Sequence, residues 1–234
     1  MSYSKADLVY EIPRKIHQVY GCFEDDIELH TIPIFKKQTD LTRKFCIDND
    51  VEYKLWLSSD CRDLLQRYPQ YVDLYNNFRH KIQRADFIRY LILYEEGGIY
   101  VDCDICPINS IDELLKNDIF FVRWNNDKRK LPYNAVLGSI AKHPVYDNIL
   151  SHLIESYEAK SKQEIYNTWT GRFVFQTTGH FMLNRVLKKY PQVRKLDILK
   201  IHDKGGNIVM DKCPVFEDWN ASIWYNTGNQ LYNK

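Results

Sequence analysis

The stretch "GGIYVDCDICP", residues 97–107, decides how this chain is read. Two glycines introduce a short β-branched run, two acids follow one position apart at Asp102 and Asp104, and Cys103 and Cys106 run through them at CxxC spacing. If the run stays extended, residues i and i+2 share a face, so Tyr100, Asp102 and Asp104 point one way and Ile99, Val101 and Cys103 the other. Two carboxylates held close in apolar surroundings repel one another, and the usual relief is a shared proton or a divalent cation. Oxygen ligands alone favour Mg²⁺ or Mn²⁺, and so few protein ligands leave the rest of the shell to substrate phosphates. Two solvated acids at a loop mouth are the plain alternative. A thiol site is the weaker one, because zinc needs four ligands and the chain has no second CxxC and no HxxxH. Buried structural cysteines fit Cys103 and Cys106 better.

Upstream, "KIHQVY" (15–20) and "EYKLWL" (52–57) have strand composition, and "PIFKKQTDLTRKFCIDN" between them has helical spacing at Ile34, Leu41 and Phe45. That is a β-α-β opening. "SSDCRDLLQRYP" predicts a short helix stopped by Pro69. From Phe78 to Glu95 the apolar positions Ile82, Ala85, Ile88, Leu91 and Ile92 keep a helical period, which Gly97-Gly98 ends. "IYVDCD" is the next strand. Downstream, "IDELL" reads as a short helix, "DIFFVRW" as a strand, "NNDKRKLP" as a charged loop, and "HPVYDNILSHLIESYEAK" as a helix with Pro144 near its start. "TTGHFMLNRVLKKYP" predicts one more helix, and "LDILKI", the turn "DKGGN" and "IVMDKCP" a late hairpin. The alternation predicts an α/β fold with a mainly parallel sheet, in which ligands lie at the carboxyl ends of strands. Asp102 and Asp104 fall at such an end.

The chain has 234 residues, enough for one domain with a packed core. Lys+Arg 32 against Asp+Glu 31 leaves no basic footprint, which disfavours nucleic acid as a partner. No stretch approaches the roughly 20 apolar residues of a membrane span, and no secretory signal opens the chain, so a soluble cytoplasmic protein is expected. Six cysteines, at 22, 46, 61, 103, 106 and 213, show no disulfide spacing and read as reduced thiols. Tyrosine is abundant (17) and aromatics make up 14%, faces that suit stacking on sugars and bases as well as core packing.

The predicted helix before the acidic strand carries Asp86 and Arg89 at i, i+3, with Arg84 close by. A surface ion pair there is worth at most about 0.5 kcal/mol. The functional alternative is a polar cluster that holds sugar hydroxyls beside the metal.

Together these residues carry a pattern. "RADFIRYLILYEEGGIYVDCDI" resembles the sugar-binding DXD segment of glycosyltransferase family 32, a motif also similar to that of the clostridial glucosylating toxins, with Arg84, Asp86, Arg89, Gly97, Gly98, Tyr100, Asp102 and Asp104 in one register. "IPRKIHQVY" is similar to the family's first strand, "NAVLGSIAKHPVYDNIL" to its asparagine-containing segment, and "EDWNASIW" to its HWxxSW-type motif, with Asp218 where histidine is common and Trp224 one place late. "TTGH" stands where TGP is usual, with His180 for proline. The resemblance spans roughly residues 11–226.

The resemblance implies a GT-A, Rossmann-like α/β fold in a single domain over 11–234, with residues 1–10 as an extension and a C-terminal lid from about 217. It implies a metal-dependent retaining transferase that moves a hexose from a nucleotide-sugar, UDP-linked by preference with GDP-mannose as the other choice, to a glycan, glycolipid or protein hydroxyl. Asp102, Asp104 and Asn134 would be catalytic. Arg84, Asp86, Arg89, Gly98 and Tyr100 would hold the donor sugar, and His17, Gln18, Val19, Tyr20 and Trp224 the nucleotide. Asp102, Asp104, Asp218 and Ser222 would hold Mn²⁺ or Mg²⁺. Two other readings of the same acids are a DxD phosphohydrolase with Asp102 as nucleophile and a sugar-nucleotide-binding domain without turnover.

Overall fold

A computed structural model describes residues 11–20, 32–123, 131–161, 170–201 and 214–219. The chain opens as the sequence predicts. Strand β1 (Lys15–Val19) is followed by helix α1 (Pro33–Asp48), which has proline in its first turn, and by β2 (Glu52–Trp56). Helix α2 (Ser58–Gln66) starts where the Asp60 carboxylate accepts the Leu57 N–H at 2.9 Å, and a short α3 (Val72–Asn76) follows. Helix α4 (Lys81–Glu96) ends at Gly97, and β3 (Gly98–Val101) begins at the next residue.

The remaining elements are β4 (Ile105–Pro107), α5 (Asp112–Leu115), β5 (Ile119–Arg123), β6 (Pro132–Ser139), α6 (Pro144–Ser161), α7 (Thr170–Thr177), α8 (His180–Leu187), β7 (Arg194–Leu196), β8 (Leu199–Ile201) and β9 (Phe216–Asp218). The main sheet runs β2-β1-β3-β6-β5-β7. Its β1–β2, β1–β3 and β5–β7 pairs are parallel, while β6 is antiparallel to both β3 and β5. The sheet is therefore mostly parallel, as expected, with β6 alone reversed among its described strands. A smaller sheet runs β4-β9-β8.

Strand parity divides the core. Tyr100, Phe121 and Leu137 pack with α4, α6 and α8, whereas Ile99, Val101, Phe120, Val122 and Val136 belong to the cluster on the other face. Helix α4 lies deep in the first cluster. Every residue from Gln83 to Leu93 is buried, the charged ones included. A helix covered all round has no solvent face, so the surface ion pair considered above does not form there.

Four other expectations change. The strand through "IYVDCD" stops at Val101, because the Asp102 carbonyl accepts the Ile105 N–H at 3.0 Å and turns the chain into the second sheet. "NAVLGS" belongs to strand β6, which the sequence reading left unassigned. The helix through "TTGHFMLNRVLKKYP" is instead two, α7 and α8, broken at Thr178-Gly179, where the Gly179 N–H returns to the Val174 carbonyl at 3.0 Å. "LDILKI" divides between sheets, since β7 pairs with β5 and β8 runs parallel to β9. The second arm of the expected hairpin, "IVMDKC", lies outside the described residues, as do the loop at 124–130 and the extension at 1–10.

Candidate active site

Strands β1 and β3 run parallel and end side by side, which brings Gln18 and Val19 next to Asp102. The reversed β6 contributes its beginning to the same edge. Val136 pairs with Val101, and the Asp102 N–H donates to the Ala135 carbonyl at 2.9 Å, so Tyr133 and Asn134 lie alongside the acidic turn. Strand β9 closes another side. Asp218 pairs with Ile105, and the Trp219 N–H donates to the Asp104 carbonyl at 3.2 Å.

Asp102 keeps the parity of Tyr100 and therefore faces α4. The Tyr100 hydroxyl donates to Asp102 Oδ1 at 2.6 Å, and an Arg89 NH1 lies 3.0 Å from the same oxygen. Arg89 reaches further. Its Nε donates to the Ala85 carbonyl at 3.1 Å, its NH1 to the Asn134 carbonyl at 2.7 Å, and its NH2 lies 3.2 Å from Asp86 Oδ1. The guanidinium also packs 4.8 Å from the Tyr100 ring centre. Asp86 completes the chain of bonds, accepting from Asn134 Nδ2 at 2.8 Å and from the Thr178 hydroxyl at 2.7 Å. The break between α7 and α8 is what lets the Thr178 side chain point there.

Burial alone would lower the Arg89 pKa, but the carboxylates of Asp102 and Asp86 help raise it well above its ordinary value, so the guanidinium stays charged. Burial pushes the carboxyls of Asp86 and Asp102 upward, against the pull of Arg89. The Asp86 side chain is 6% exposed and that of Asp102 30%, so Asp102 is the end of the network that meets solvent. Fixed by Arg89 and Tyr100 in this way, Asp102 is poorly suited to act as the nucleophile of a phosphohydrolase. On the helical wheel Arg84 lies on another side of α4, where it donates to the carbonyls of Tyr75 and Asn76 at 3.2 and 3.1 Å.

The residues expected to bind the nucleotide have largely internal partners. His17 is fully buried, accepts the Trp56 indole N–H at Nδ1 (3.0 Å) and so carries its own proton on Nε2, which faces the Gly97 carbonyl at 2.9 Å. Burial lowers its pKa to about 4. Gly98, expected near the sugar, has φ +95°, and a Cβ there would sit 2.8 Å from the Lys15 carbonyl and 2.9 Å from His17 Nε2. Its need for glycine is thus a matter of backbone and packing. Gln18 donates from Nε2 to the Asp102 and Ile105 carbonyls at 3.1 and 3.2 Å and accepts the Tyr53 hydroxyl at 2.9 Å. Tyr20 packs with Ile32 and Cys103. Ser222 and Trp224 lie outside the described residues.

Tyr133 escaped the sequence reading. It is half-buried, its hydroxyl is hydrogen-bonded with Asp218, and its pKa is raised well above the usual value by burial and by Asp218, Asp104 and Asp102. Of these carboxylates, that of Asp218 is the one hydrogen-bonded to the phenol. Its place two residues before the reversed strand's contact with Asp102 was the only available signal, and it required knowing that β6 is a strand.

Among the described residues no three His, Cys, Asp or Glu side chains already form a metal cage. The acidic groups around the turn are nevertheless carboxylates, with the Tyr133 hydroxyl beside them. That set fits a hard cation whose shell a ligand's phosphates complete. The thiols do not compete for such a role. Cys103 and Cys106 are buried and unbridged, the Cys103 thiol points at the Val19 carbonyl at 3.4 Å, and burial raises both pKa values, that of Cys106 to about 12.

The acidic turn falls within a region that the chain shares with known proteins. Residues 34–121 match the family model described as the glycosyltransferase sugar-binding region containing the DXD motif. Mannosyl phosphorylinositol ceramide synthase CSH1 of Saccharomyces cerevisiae is 31% identical over 182 residues, which are 76% of this chain and 43% of that protein. Inositol phosphoceramide mannosyltransferase 2 of Schizosaccharomyces pombe is 30% identical over 182 residues, 76% of this chain and 47% of that protein. The chain thus spans less than half the length of these curated relatives. Among solved structures, PaToxG glycosyltransferase superposes with a TM-score of 0.49 at 16% identity, covering 77% of this chain and 69% of that one. Over residues 34–121, a stretch that includes Asp102 and Asp104, the chain carries the DXD sugar-binding region of a glycosyltransferase family whose matched members include yeast mannosyltransferases.

Proposed function

We propose that the protein is a divalent-metal-dependent, retaining glycosyltransferase of GT-A type that moves a hexose from a nucleotide-sugar donor to a hydroxyl acceptor. The observation that carries this reading is the acidic turn itself. Asp102 is fixed from behind by Arg89 and Tyr100, and Asp104 stands beside Asp218 and Tyr133. The names of the matched relatives favour mannose as the sugar and an inositol phosphoceramide-like glycolipid as the acceptor. GDP-mannose therefore stands beside UDP-sugars as the donor to test. No helix among the described residues is long and apolar enough to cross a membrane.

In this reading Asp104 and Asp218 hold Mn²⁺ or Mg²⁺, with Ser222 as a further oxygen ligand. A cation bound there supplies Lewis-acid stabilisation of the charge on the departing diphosphate. The protein's own part is positioning. Arg89, held by Asp86 and Asn134, keeps Asp102 turned toward the donor, and the buried network excludes water behind it. Arg89, buried and committed to Ala85, Asn134, Asp102 and Asp86, acts in this reading through Asp102. The test is a thermal-shift screen of UDP, GDP and their sugars with Mn²⁺, since selective binding raises the melting temperature. Stabilisation by one nucleotide family that grows when the metal is added supports the reading; none by either family overturns it.

A further inference from the structure

The turn that carries the two acids is held on the side opposite Arg89 as well. Asp102 to Ile105 form a β-turn closed by the Ile105 N–H on the Asp102 carbonyl at 3.0 Å, with Asp104 at its third position. Gln18, at the end of β1, spans this turn with a single carboxamide. Its NH₂ group has two hydrogens, and one goes to each end of the turn, to the carbonyls of Asp102 and Ile105. Its oxygen accepts the Tyr53 hydroxyl, which fixes which way the amide faces. The Ile105 carbonyl takes a second bond, at 3.3 Å, from the Thr42 hydroxyl on α1. Gln18 is completely buried, and both ends of its amide are committed.

We propose that Gln18 is a positioning residue: oriented by Tyr53, it sets the backbone of the turn and through it the separation and direction of the Asp102 and Asp104 carboxylates. This assignment rests on the transferase reading of the site and differs from the sequence expectation that Gln18 contacts the nucleotide. The physical reason is economy of contact. Arg89 and Tyr100 fix only the Asp102 side chain, whereas Asp104 projects from the turn's third position and takes its direction from the turn's backbone, which the Ala135 carbonyl and the Trp219 N–H hold from other sides. A two-pronged donor spanning the turn ties both of its ends, and no apolar residue of the same size can do so. The bonds are buried, so without Gln18 each carbonyl loses one of its two donors, the Asp102 carbonyl keeping the Ile105 N–H and the Ile105 carbonyl the longer bond from Thr42.

The test compares the parent with Gln18→Met, which keeps the side chain's length without its donors, and with Tyr53→Phe, which keeps the ring and frees the amide to rotate. Mn²⁺ is titrated calorimetrically at saturating UDP and, separately, at saturating GDP. Nucleotide affinity is also measured in EDTA. The half-saturating Mn²⁺ concentration is expected to rise about tenfold in Gln18→Met, equivalent to about 1.4 kcal/mol, and by a smaller factor in Tyr53→Phe. Binding in EDTA should stay at the parent's value. A purely structural role lowers the melting temperature but leaves the Mn²⁺ titrations superimposed on the parent's, and that result overturns the assignment. Equal losses with and without metal overturn it too, returning Gln18 to the nucleotide. If Gln18→Met does not fold, Tyr53→Phe decides. A parent that binds neither nucleotide with Mn²⁺ defeats the transferase reading itself, and the assignment falls with it.

Discussion

Replacing Arg89 by methionine removes the cation that buried Asp86 and half-buried Asp102 share. The guanidinium's contacts with Asp86, Asp102 and the carbonyls of Ala85 and Asn134 are lost together. Asp102 can rehydrate through its 30% exposed side chain, whereas Asp86, 6% exposed, keeps only Asn134 and Thr178. Most of the cost therefore falls on Asp86. Removing one partner of a buried pair costs about 3–5 kcal/mol, which at about 2–4 °C per kcal/mol for a chain of this size lowers the melting temperature by roughly 10 °C. Burial already pushes the Asp86 carboxyl upward, and without Arg89 that push is unopposed by any cation. A carboxyl with a raised folded-state pKa is relieved by protonation, so the variant's deficit against the parent should shrink as pH falls. Asp86→Asn added to Arg89→Met removes the stranded charge and should recover much of the loss. The assay is thermal unfolding followed by far-ultraviolet circular dichroism between about pH 5 and 8. A melting temperature within about 2 °C of the parent at pH 8, well below the shift expected for a broken buried pair, refutes the buried network as described.

Three further outcomes follow from the same geometry. His17 takes up its proton near pH 4 when folded and near 6.5 when unfolded, so stability should fall on acidification across that window by roughly 3 kcal/mol in all, at about 1.4 kcal/mol per pKa unit; denaturant melts of the parent and His17→Gln at pH 7 and 4.5 check it, and equal slopes for the two contradict it. Gly98→Ala forces a Cβ to within 2.8 Å of the Lys15 carbonyl at φ +95°, and should destabilise by at least the 1–3 kcal/mol or so typical of a strained backbone position. Tyr133→Phe removes the hydroxyl bonded to Asp218 without opening a cavity, so metal-dependent nucleotide binding should weaken with little change in melting temperature; an unchanged Mn²⁺ titration places Tyr133 outside the site.

The elements that decide the fold were legible wherever local chemistry and tertiary environment agree. Helix α1 follows a proline, α4 stops at Gly97, and β1 and β2 are short apolar runs. Strand β6 was not legible because "PYNAVLGS" contains Pro132, Asn134 and Gly138, residues that argue against a strand. Its glycine is there for a neighbour. A Cβ at Gly138 would lie 2.0 Å from the Phe120 ring, so the side chain of β5 occupies the space that residue 138 leaves open. The break at Thr178-Gly179 was hidden by continuous helical spacing on either side. Only the partners of Thr178, Asp86 through its hydroxyl and Tyr90 through its carbonyl, show what the break is for. The pairing of Asp86 with Arg89 was visible from their spacing, but its burial was not, because polar residues on a helix ordinarily mark a solvent face. Gln18 and His17 show the same limit in reverse. Their presence in a motif was readable, while their partners, backbone carbonyls 80 or more residues away, depend wholly on the fold.

The most direct measurement is donor turnover by the parent and by Asp104→Asn, assayed as release of UDP or GDP from the corresponding nucleotide-sugars with Mn²⁺ and with EDTA, alongside circular dichroism of both proteins. Asp104 sits at the third position of the turn that Gln18 spans, and its carbonyl accepts the N–H of Trp219, the residue after Asp218. The expected result is turnover by the parent with metal alone, and none by an Asp104→Asn protein whose fold is unchanged. Undiminished turnover in EDTA, or by Asp104→Asn, contradicts the assignment of this acidic turn as the metal and donor site.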